Sequence, residues 1–376
     1  MKRLLFMLLA TQLSSCQNKE AQNQPTEKKQ TKEMQLSQER KTTFQWEEGL
    51  NAPQGYPIEV YRGGLELAAG FVGLSGLGTT TGFGGWGANG NGMSHGVKSL
   101  PKRINCIWLS YAEDCMYKIN CDVDYEKIVQ LFNEGFIDSN RKRGRQIDTY
   151  DSIMTGFAPG GVVVIWVAGG DKKVEIGRYQ GEKTTVSAQE IASLDSHERL
   201  LFDPVMRKHV MENPRIVPVE VQKANENKPI PFGLWDTYRE KYSWRPVFIF
   251  PEYGKMIDRV RIEKINGEFE TLMYEEFYDN DFKQSAIPRR FSFGWWDKNG
   301  QGYGASVSFD ENEILAAYAE MFKKDRNANV EIHFKINKIN TYFSVTLENG
   351  TMNFPLIKNN IEVFQSRTLT KQYKKE

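Results

Sequence analysis

The chain is 376 residues long and carries 49 basic against 48 acidic side chains, a formal net charge of +1. Charges this evenly balanced create no global field, which argues against nucleic acid as a partner. Hydrophobic residues at 40% and aromatic ones at 12% are ample for a packed core, and the roughly 330 residues after the polar N-terminal region suit two domains of ordinary size.

Residues 1–15 have the pattern of a secretory signal peptide. Met1-Lys2-Arg3 is positive, and Leu4 to Leu13 is apolar but too short to span a bilayer. The run Leu13-Ser14-Ser15-Cys16 resembles the lipobox of bacterial lipoproteins. That resemblance implies a mature chain beginning at Cys16, with a diacylglycerol on its sulfur and a third acyl chain on its amine. Several chains together hold a protein on a bilayer far better than one. Gln17 rather than Asp follows the cysteine, which resembles lipoproteins that proceed to the outer membrane. No dense acidic cluster follows, so the periplasmic face is expected rather than the cell surface. Residues 16–43 are rich in Gln, Asn, Glu, Lys and Thr, cannot bury enough surface to offset their ordering entropy, and read as a flexible tether.

The remainder contains an internal repeat. Leu100-Pro-Lys-Arg-Ile-Asn-Cys-Ile-Trp108 is echoed by Ile287-Pro-Arg-Arg-Phe-Ser-Phe-Gly-Trp295. Tyr117 to Asp124 aligns with Tyr303 to Asp310, and Ile128, Val129 and Phe132 align with Ile314, Leu315 and Tyr318. Upstream, Tyr56 to Val60 is matched with Arg245 to Ile249. The expected fold is α+β, with two tandem related halves, each an antiparallel sheet with a helix packed on it: residues 44–187 and 229–365, joined by a helical connector over 188–228 and followed by a polar tail over 366–376.

In chain order, Ile104 to Tyr111 and Met116 to Asp122 form a hairpin around Ala112 to Cys115, and Asp124 caps the helix after it. Val162 to Ala168 is the longest continuous apolar run of the body and reads as a buried strand. Val260 to Ile265 and Phe269 to Tyr274 flank Asn266-Gly267, the strongest hairpin signal in the chain. Phe291 to Asp297 and Gln301 to Phe309 repeat the first hairpin around Asn299-Gly300. Asp310 to Glu313 resembles a capping box that opens an apolar helical stripe. Val330 to Ile336 alternates cleanly as a strand, matched to Val162 to Val167, with His333 on its solvent side.

Few constellations point to chemistry. The hairpin reading places Cys106 opposite Cys121; a disulfide there and a pair of buried thiols both stay open, since Phe293 and Val307 occupy the matching positions of the second copy. Cys115 is the third body cysteine. No grouping of His and Cys with metal-ligand spacing occurs, so no metal or other cofactor is expected. Gly82 to Gly87 is formally GxGxxG, but no helix can begin at Ala88-Asn-Gly-Asn-Gly, which excludes dinucleotide binding. Gly92-Met-Ser94-His95-Gly96 is formally GxSxG, but it does not sit between a strand and a helix as a nucleophile elbow must. A serine esterase through Ser94 is thus the least favoured reading, and no catalytic residue is assigned. The Gly63 to Gly96 stretch, with Phe71, Phe83 and Trp86, reads as a long surface loop suited to binding. The basic run Asn140 to Arg145 reads as a solvated loop, with lipid head groups as its functional variant.

Gly85-Trp86-Gly87, Leu100-Pro101, Trp108-Leu-Ser110-Tyr-Ala-Glu113 with Tyr117, and Gly160-Gly161-Val-Val-Val-Ile-Trp166 resemble an uncharacterised family of bacterial lipoproteins of the DUF2931 type. The resemblance covers mainly the first half; the second lacks the Gly-rich loop and the Ser-x-x-Glu element. It implies a non-catalytic binding role, since some such proteins lie beside secreted antibacterial effectors and are thought to act as immunity proteins. The expectation is a lipoprotein anchored through acylated Cys16 that neutralises a secreted effector in the periplasm, with Trp86, Asn89, Ser94, His95, Tyr111 and Glu113 as candidate partner contacts. A glycan- or envelope-binding module is the alternative.

Overall fold

The computed structural model describes residues 40–90, 92–139, 146–250, 256–273, 280–350 and 352–373. The expected signal peptide, Cys16, nearly all of the tether and the basic run 140–145 lie outside the described residues.

The strands in chain order are β1 (Thr43–Asn51), β2 (Ile58–Leu67), β3 (Phe71–Gly73), β4 (His95–Ser99), β5 (Pro101–Ser110), β6 (Cys115–Asp122), β7 (Phe136–Ile137), β8 (Ile147–Asp148), β9 (Ser152–Ala158), β10 (Val162–Ala168), β11 (Lys172–Gln180) and β12 (Glu182–Thr184). Residues 188–228 hold short helices at Ala188–Ser193, Pro204–Glu212 and Val219–Asn225, and another follows at Leu234–Thr237. Then come β13 (Lys241–Ile249), β14 (Met256–Lys264), β15 (Phe269–Met273), β16 (Lys283–Ala286), β17 (Pro288–Trp296), β18 (Gly302–Phe309), β19 (Asn329–Ile336), β20 (Phe343–Glu348), β21 (Asn353–Leu356) and β22 (Asn359–Gln365). The fold is α+β and mostly antiparallel.

Strands of the first half lie in the orders β11-β10-β9-β1-β4 and β12-β6-β5-β2-β3. Strands of the second lie in the orders β21-β20-β19-β13-β16 and β22-β18-β17-β14-β15. β1 runs parallel to β9, and β13 runs parallel to β19. The halves meet edge to edge where β11 pairs with β15, Lys172 opposite Glu270 and Lys173 opposite Phe269. That seam fuses one sheet of each half into a single ten-stranded sheet, and the chain from Lys41 onward forms one compact unit.

The seam explains why β10 is apolar at every position. A sheet with one wet face alternates, whereas one covered on both faces does not. Val163, Ile165 and Val167 pack into the core of the first half. Val164 and Trp166, on the other face, join the core of the second. Each half also carries a capped helix after its main hairpin: Asp124 accepts from the Lys127 N–H at the start of Tyr125–Glu134, and Asp310 accepts from the Glu313 N–H at the start of Glu311–Met321. Trp108 stacks on Tyr117 and Trp295 stacks on Tyr303, both with ring centroids 5.4 Å apart. Both tryptophans are wholly buried, so neither is a platform for a ligand.

Several expectations need correction. The first hairpin turns at residues 111–114 and closes with Ser110 opposite Cys115, one residue earlier than its composition suggests, because Asp114 takes the left-handed backbone (φ 47°) that the tight turn requires. The shift sets Cys106 opposite Ile119 and Cys121 opposite Ile104, so the two cysteines are diagonal neighbours, and all three body cysteines are free. β9 and β19 occupy the same place in their strand orders, each beside a parallel partner, β1 and β13. His333 is largely covered, between Glu331 at 2.7 Å and Glu348 at 3.2 Å. Near the C-terminal end a helix runs over Arg367–Tyr373, and its Leu369 carbonyl accepts from the Trp296 indole at 2.8 Å.

Candidate functional site

The Gly-rich stretch is not a free loop. Gly63 and Gly64 belong to β2, and the later part lies along β1 with no room for side chains. A Cβ on Gly90 would stand 1.7 Å from the Leu50 carbonyl oxygen, and one on Gly92 would stand 2.1 Å from that of Glu48. Glu48, almost completely buried, accepts the N–H groups of Met93 at 3.0 Å and Ser94 at 2.8 Å. It also takes a short hydrogen bond from the Ser94 hydroxyl and an ion pair from Lys98 at 3.2 Å. Burial opposes its charge, but the Ser94 hydroxyl and these backbone donors outweigh burial and hold the carboxyl below its usual range. The Lys98 ammonium also donates to Ser94 Oγ at 2.5 Å and lies over the Trp46 ring at 4.3 Å.

Ser94 therefore donates its hydroxyl hydrogen bond to a carboxylate that is a poor base and accepts one from a lysine held beside that carboxylate. His95, next in sequence, is exposed on β4 and meets Gln45 at 2.7 Å instead. A nucleophile needs a base poised to accept its proton, and this arrangement clamps a loop instead.

A second cluster fixes Gly85-Trp86-Gly87 to the seam. The Asn51 amide donates to the Gly85 carbonyl at 3.1 Å and accepts the Gly87 N–H at 2.8 Å. Lys173 of β11, with only 1% of its surface exposed, donates to the Gly87 carbonyl and to Asn89 Oδ1 at 3.0 Å. Burial, then the nearby Arg289 and Arg261, push the Lys173 pKa down to about 7. Gly87 lies flat on Gly267 of the β14–β15 turn, where the left-handed backbone of both glycines (φ 74° and 89°) lets the two main chains touch. Trp86 is buried edge-on against Trp166 at 5.0 Å.

Beside this junction opens a cleft of about 730 Å³. Pro53, Gln54 and Tyr56 of the first half and Gly84 to Trp86 of the loop form one wall. Asn225 at the end of the connector and Pro231, Leu234, Trp235 and Tyr238 just after it add a second wall. Glu263, Arg289, Arg290, Ser308, Phe309 and Glu311 of the second half close it. Arg289 donates to the Trp86 carbonyl at 3.2 Å and pairs with Glu263 at 3.3 Å. Tyr238 donates to Glu311 at 2.5 Å; burial, then that carboxylate, push its hydroxyl pKa far up. Tyr56 meets Trp235 edge-on at 5.4 Å.

The six residues expected to contact a partner are not brought together. Trp86 lines the cleft from a buried position, Asn89 binds Lys173 behind it, and Ser94 is clamped on Glu48. His95 is exposed on β4. Tyr111 is buried and donates to Glu59 at 2.7 Å. Glu113 accepts the hydroxyls of Ser110 at 2.8 Å and Tyr117 at 2.6 Å and the Gly160 N–H at 3.1 Å, so the Ser-x-x-Glu element braces its own hairpin. Burial, then the neighbouring Cys121, raises the Cys106 thiol pKa, and burial raises those of Cys115 and Cys121, which leaves none of them a ready thiolate. Sequence reasoning missed Tyr56, Trp235, Tyr238, Lys173, Glu263 and Glu311. Arg289-Arg290 alone carried a signal, as the basic pair after proline in the repeated motif.

Among the described residues no group of His, Cys, Asp and Glu is arranged to hold a metal ion, and no helix is long and apolar enough to cross a membrane. A family model described as a protein of unknown function (DUF2931) matches residues 22–233, more than half of the chain. No curated protein and no solved structure matches it.

Proposed function

Since this chain belongs to the DUF2931 family of proteins of unknown function, whose name assigns no activity, we propose a role read from its site: a membrane-anchored, non-catalytic binding protein. In this reading acylated Cys16 holds the protein at the periplasmic face of an outer membrane, the polar N-terminal segment is its tether, and the seam cleft receives the ligand. The observation that carries the reading is the cleft itself, built from both halves and the connector and within the size range of ligand sites. The clamped state of Ser94 supports binding over ester hydrolysis. The matching strand orders, helix caps and stacked Trp–Tyr pairs support a further reading, that the two halves are tandem copies of one unit.

Beside the cleft, the exposed rim supports a protein partner as well, for which neutralisation of a secreted antibacterial effector is the proposed role. Phe83 and Phe232 are 86% and 61% exposed and are chain neighbours of the lining residues Gly84 and Pro231. Large exposed apolar side chains beside a concave site mark protein contacts. The test is capture from envelope extracts and from the products of neighbouring genes, with the full chain and a Phe83→Ser/Phe232→Ser variant as baits. One secreted effector held by the first bait and lost from the second supports immunity. Cells that lack the protein yet resist siblings and competitors fully would refute it.

A further inference from the structure

The seam cleft has a chemical character that narrows its ligand. Its charges cancel: Arg289 is matched by Glu263 within the wall, and Arg290 is offset by Glu311. A site selecting a phosphate, an acidic peptide or a polyamine needs an excess of one sign, and this one has none. Its hydrogen-bonding capacity is nevertheless high. Among the described residues the side chains of Gln54, Asn225, Arg290 and Ser308 have no protein partner, although all four line the same cleft. Arg290 stands directly opposite Ser308 across the β17–β18 ladder, which sets a fork of donors beside a hydroxyl. Between these polar groups lie partly exposed aromatic side chains, Tyr56 and Phe309.

Balanced donors and acceptors around aromatic surface fit a ligand that is uncharged, dense in hydroxyl groups and apolar on its ring faces. Resting on the reading of the cleft as the binding site, we propose that it binds a neutral oligosaccharide, whose hydroxyls pair with Gln54, Asn225, Arg290 and Ser308 while a sugar face lies on Tyr56. The arginine and the amides supply N–H donors, the amide and serine oxygens supply acceptors, and the aromatic wall supplies apolar contact. The ordering cost is small because Tyr56 is already held against Trp235 at 5.4 Å.

The test is titration of the full chain in detergent with cellotetraose, maltotetraose and chitotetraose, and with tetragalacturonate as the anionic counterpart. Binding is followed by calorimetry and by the intrinsic fluorescence of Trp86 and Trp235, which line the cleft. The expected result is saturable binding of at least one neutral tetrasaccharide over tetragalacturonate. Gln54→Ala/Asn225→Ala and Tyr56→Ala should each weaken it about tenfold or more, the worth of one or two hydrogen bonds. Gln54 is exposed and Asn225 is partly so, so the double variant should keep the wild-type melting temperature. Preference for tetragalacturonate, or no binding of any sugar while an effector captured by the wild type is lost from the cleft variants, overturns the sugar assignment and leaves the cleft as the binding site. Sugar binding that both variants leave intact overturns the cleft itself.

Discussion

Replacing Gly87 by alanine tests whether the seam is held by main-chain contact. Gly87 sits at φ 74°, and a Cβ there would stand 2.2 Å from the Cα of Gly267 and 3.1 Å from its carbonyl carbon. Both obstacles are backbone, so no side-chain rotation relieves them. The left-handed conformation costs about 1–2 kcal/mol for a residue with a Cβ, and forcing the two segments apart costs about 1–3 kcal/mol more. Separation also loosens the Gly87 N–H bond to Asn51 at 2.8 Å and the Trp166 indole bond to the Asn266 carbonyl at 3.1 Å, at about 1 kcal/mol each. The expected loss is about 4–7 kcal/mol. Gly85→Ala is the matched control. It shares the backbone conformation (φ 84°), but its new Cβ would meet only the tip of Arg289 at 3.4 Å, so it should lose only about 1–2 kcal/mol. Thermal unfolding followed by tryptophan fluorescence and circular dichroism should separate the two by roughly 6–10 °C, at about 2 °C per kcal/mol for a body of this size. Equal melting temperatures, or a Gly87→Ala protein as stable as wild type, would refute the argument.

Lys173 makes stability depend on pH. Its pKa is about 7 in the folded protein against 10.5 when exposed; the unfolded chain therefore binds the proton that the folded chain releases between those values, and stability rises with pH across that window. Lys173→Met removes this slope, so the wild type should gain on the variant by about 1–2 kcal/mol between pH 7.5 and 9 in urea unfolding; a constant difference would show that Lys173 keeps an ordinary pKa. Glu48 works in the same sense over a more acidic window: its lowered pKa contributes stability above about pH 4.5 that is lost as the pH falls toward its folded value. Glu48→Gln leaves Lys98 without its carboxylate and should cost about 3 kcal/mol at neutral pH, whereas Ser94→Ala should cost about 1 kcal/mol and leave ligand binding unchanged; a loss of turnover on an ester in Ser94→Ala, with folding intact, would reverse the structural role given to this serine. Alkylation followed by mass spectrometry should label Cys115 and Cys121 in the native protein and Cys106 only after unfolding, while a mass two units short of three free thiols would reveal a bond that the register of β5 and β6 does not show.

Much of the local structure was legible because it rests on local physics. Asp124 and Asp310 announce helix starts because their side chains satisfy backbone N–H groups within the first turn. Asn266-Gly267 announces a hairpin because its backbone conformation suits those two residues. The recurrence of Trp108 and Trp295 at one hairpin position already pointed to core packing over ligand stacking. The first hairpin's register slipped because it depended on a single left-handed residue, Asp114, in a turn of four. The Gly-rich stretch was misread because glycine serves two ends that composition cannot separate. It frees a loop in solvent, or it lets one main chain lie on another, as Gly90 lies on Leu50 and Gly87 on Gly267.

What the amino-acid order determined by itself is therefore the set of local elements. Capping, turn chemistry and side-chain alternation act over a few residues and are visible in any window that contains them. The tertiary structure alone decided the rest. The pairing of β11 with β15 spans residues about a hundred positions apart, and nothing near either strand specifies it. That one pairing makes β10 apolar on both faces, buries Lys173 against the Gly87 carbonyl and Asn89, and turns the Gly85-Trp86-Gly87 segment inward. It also gathers Tyr56, Asn225, Trp235, Arg289, Arg290 and Glu311 around a shared cleft. Side chains contributed by three distant segments leave no common spacing in the sequence, so the candidate site became visible only once the seam had closed.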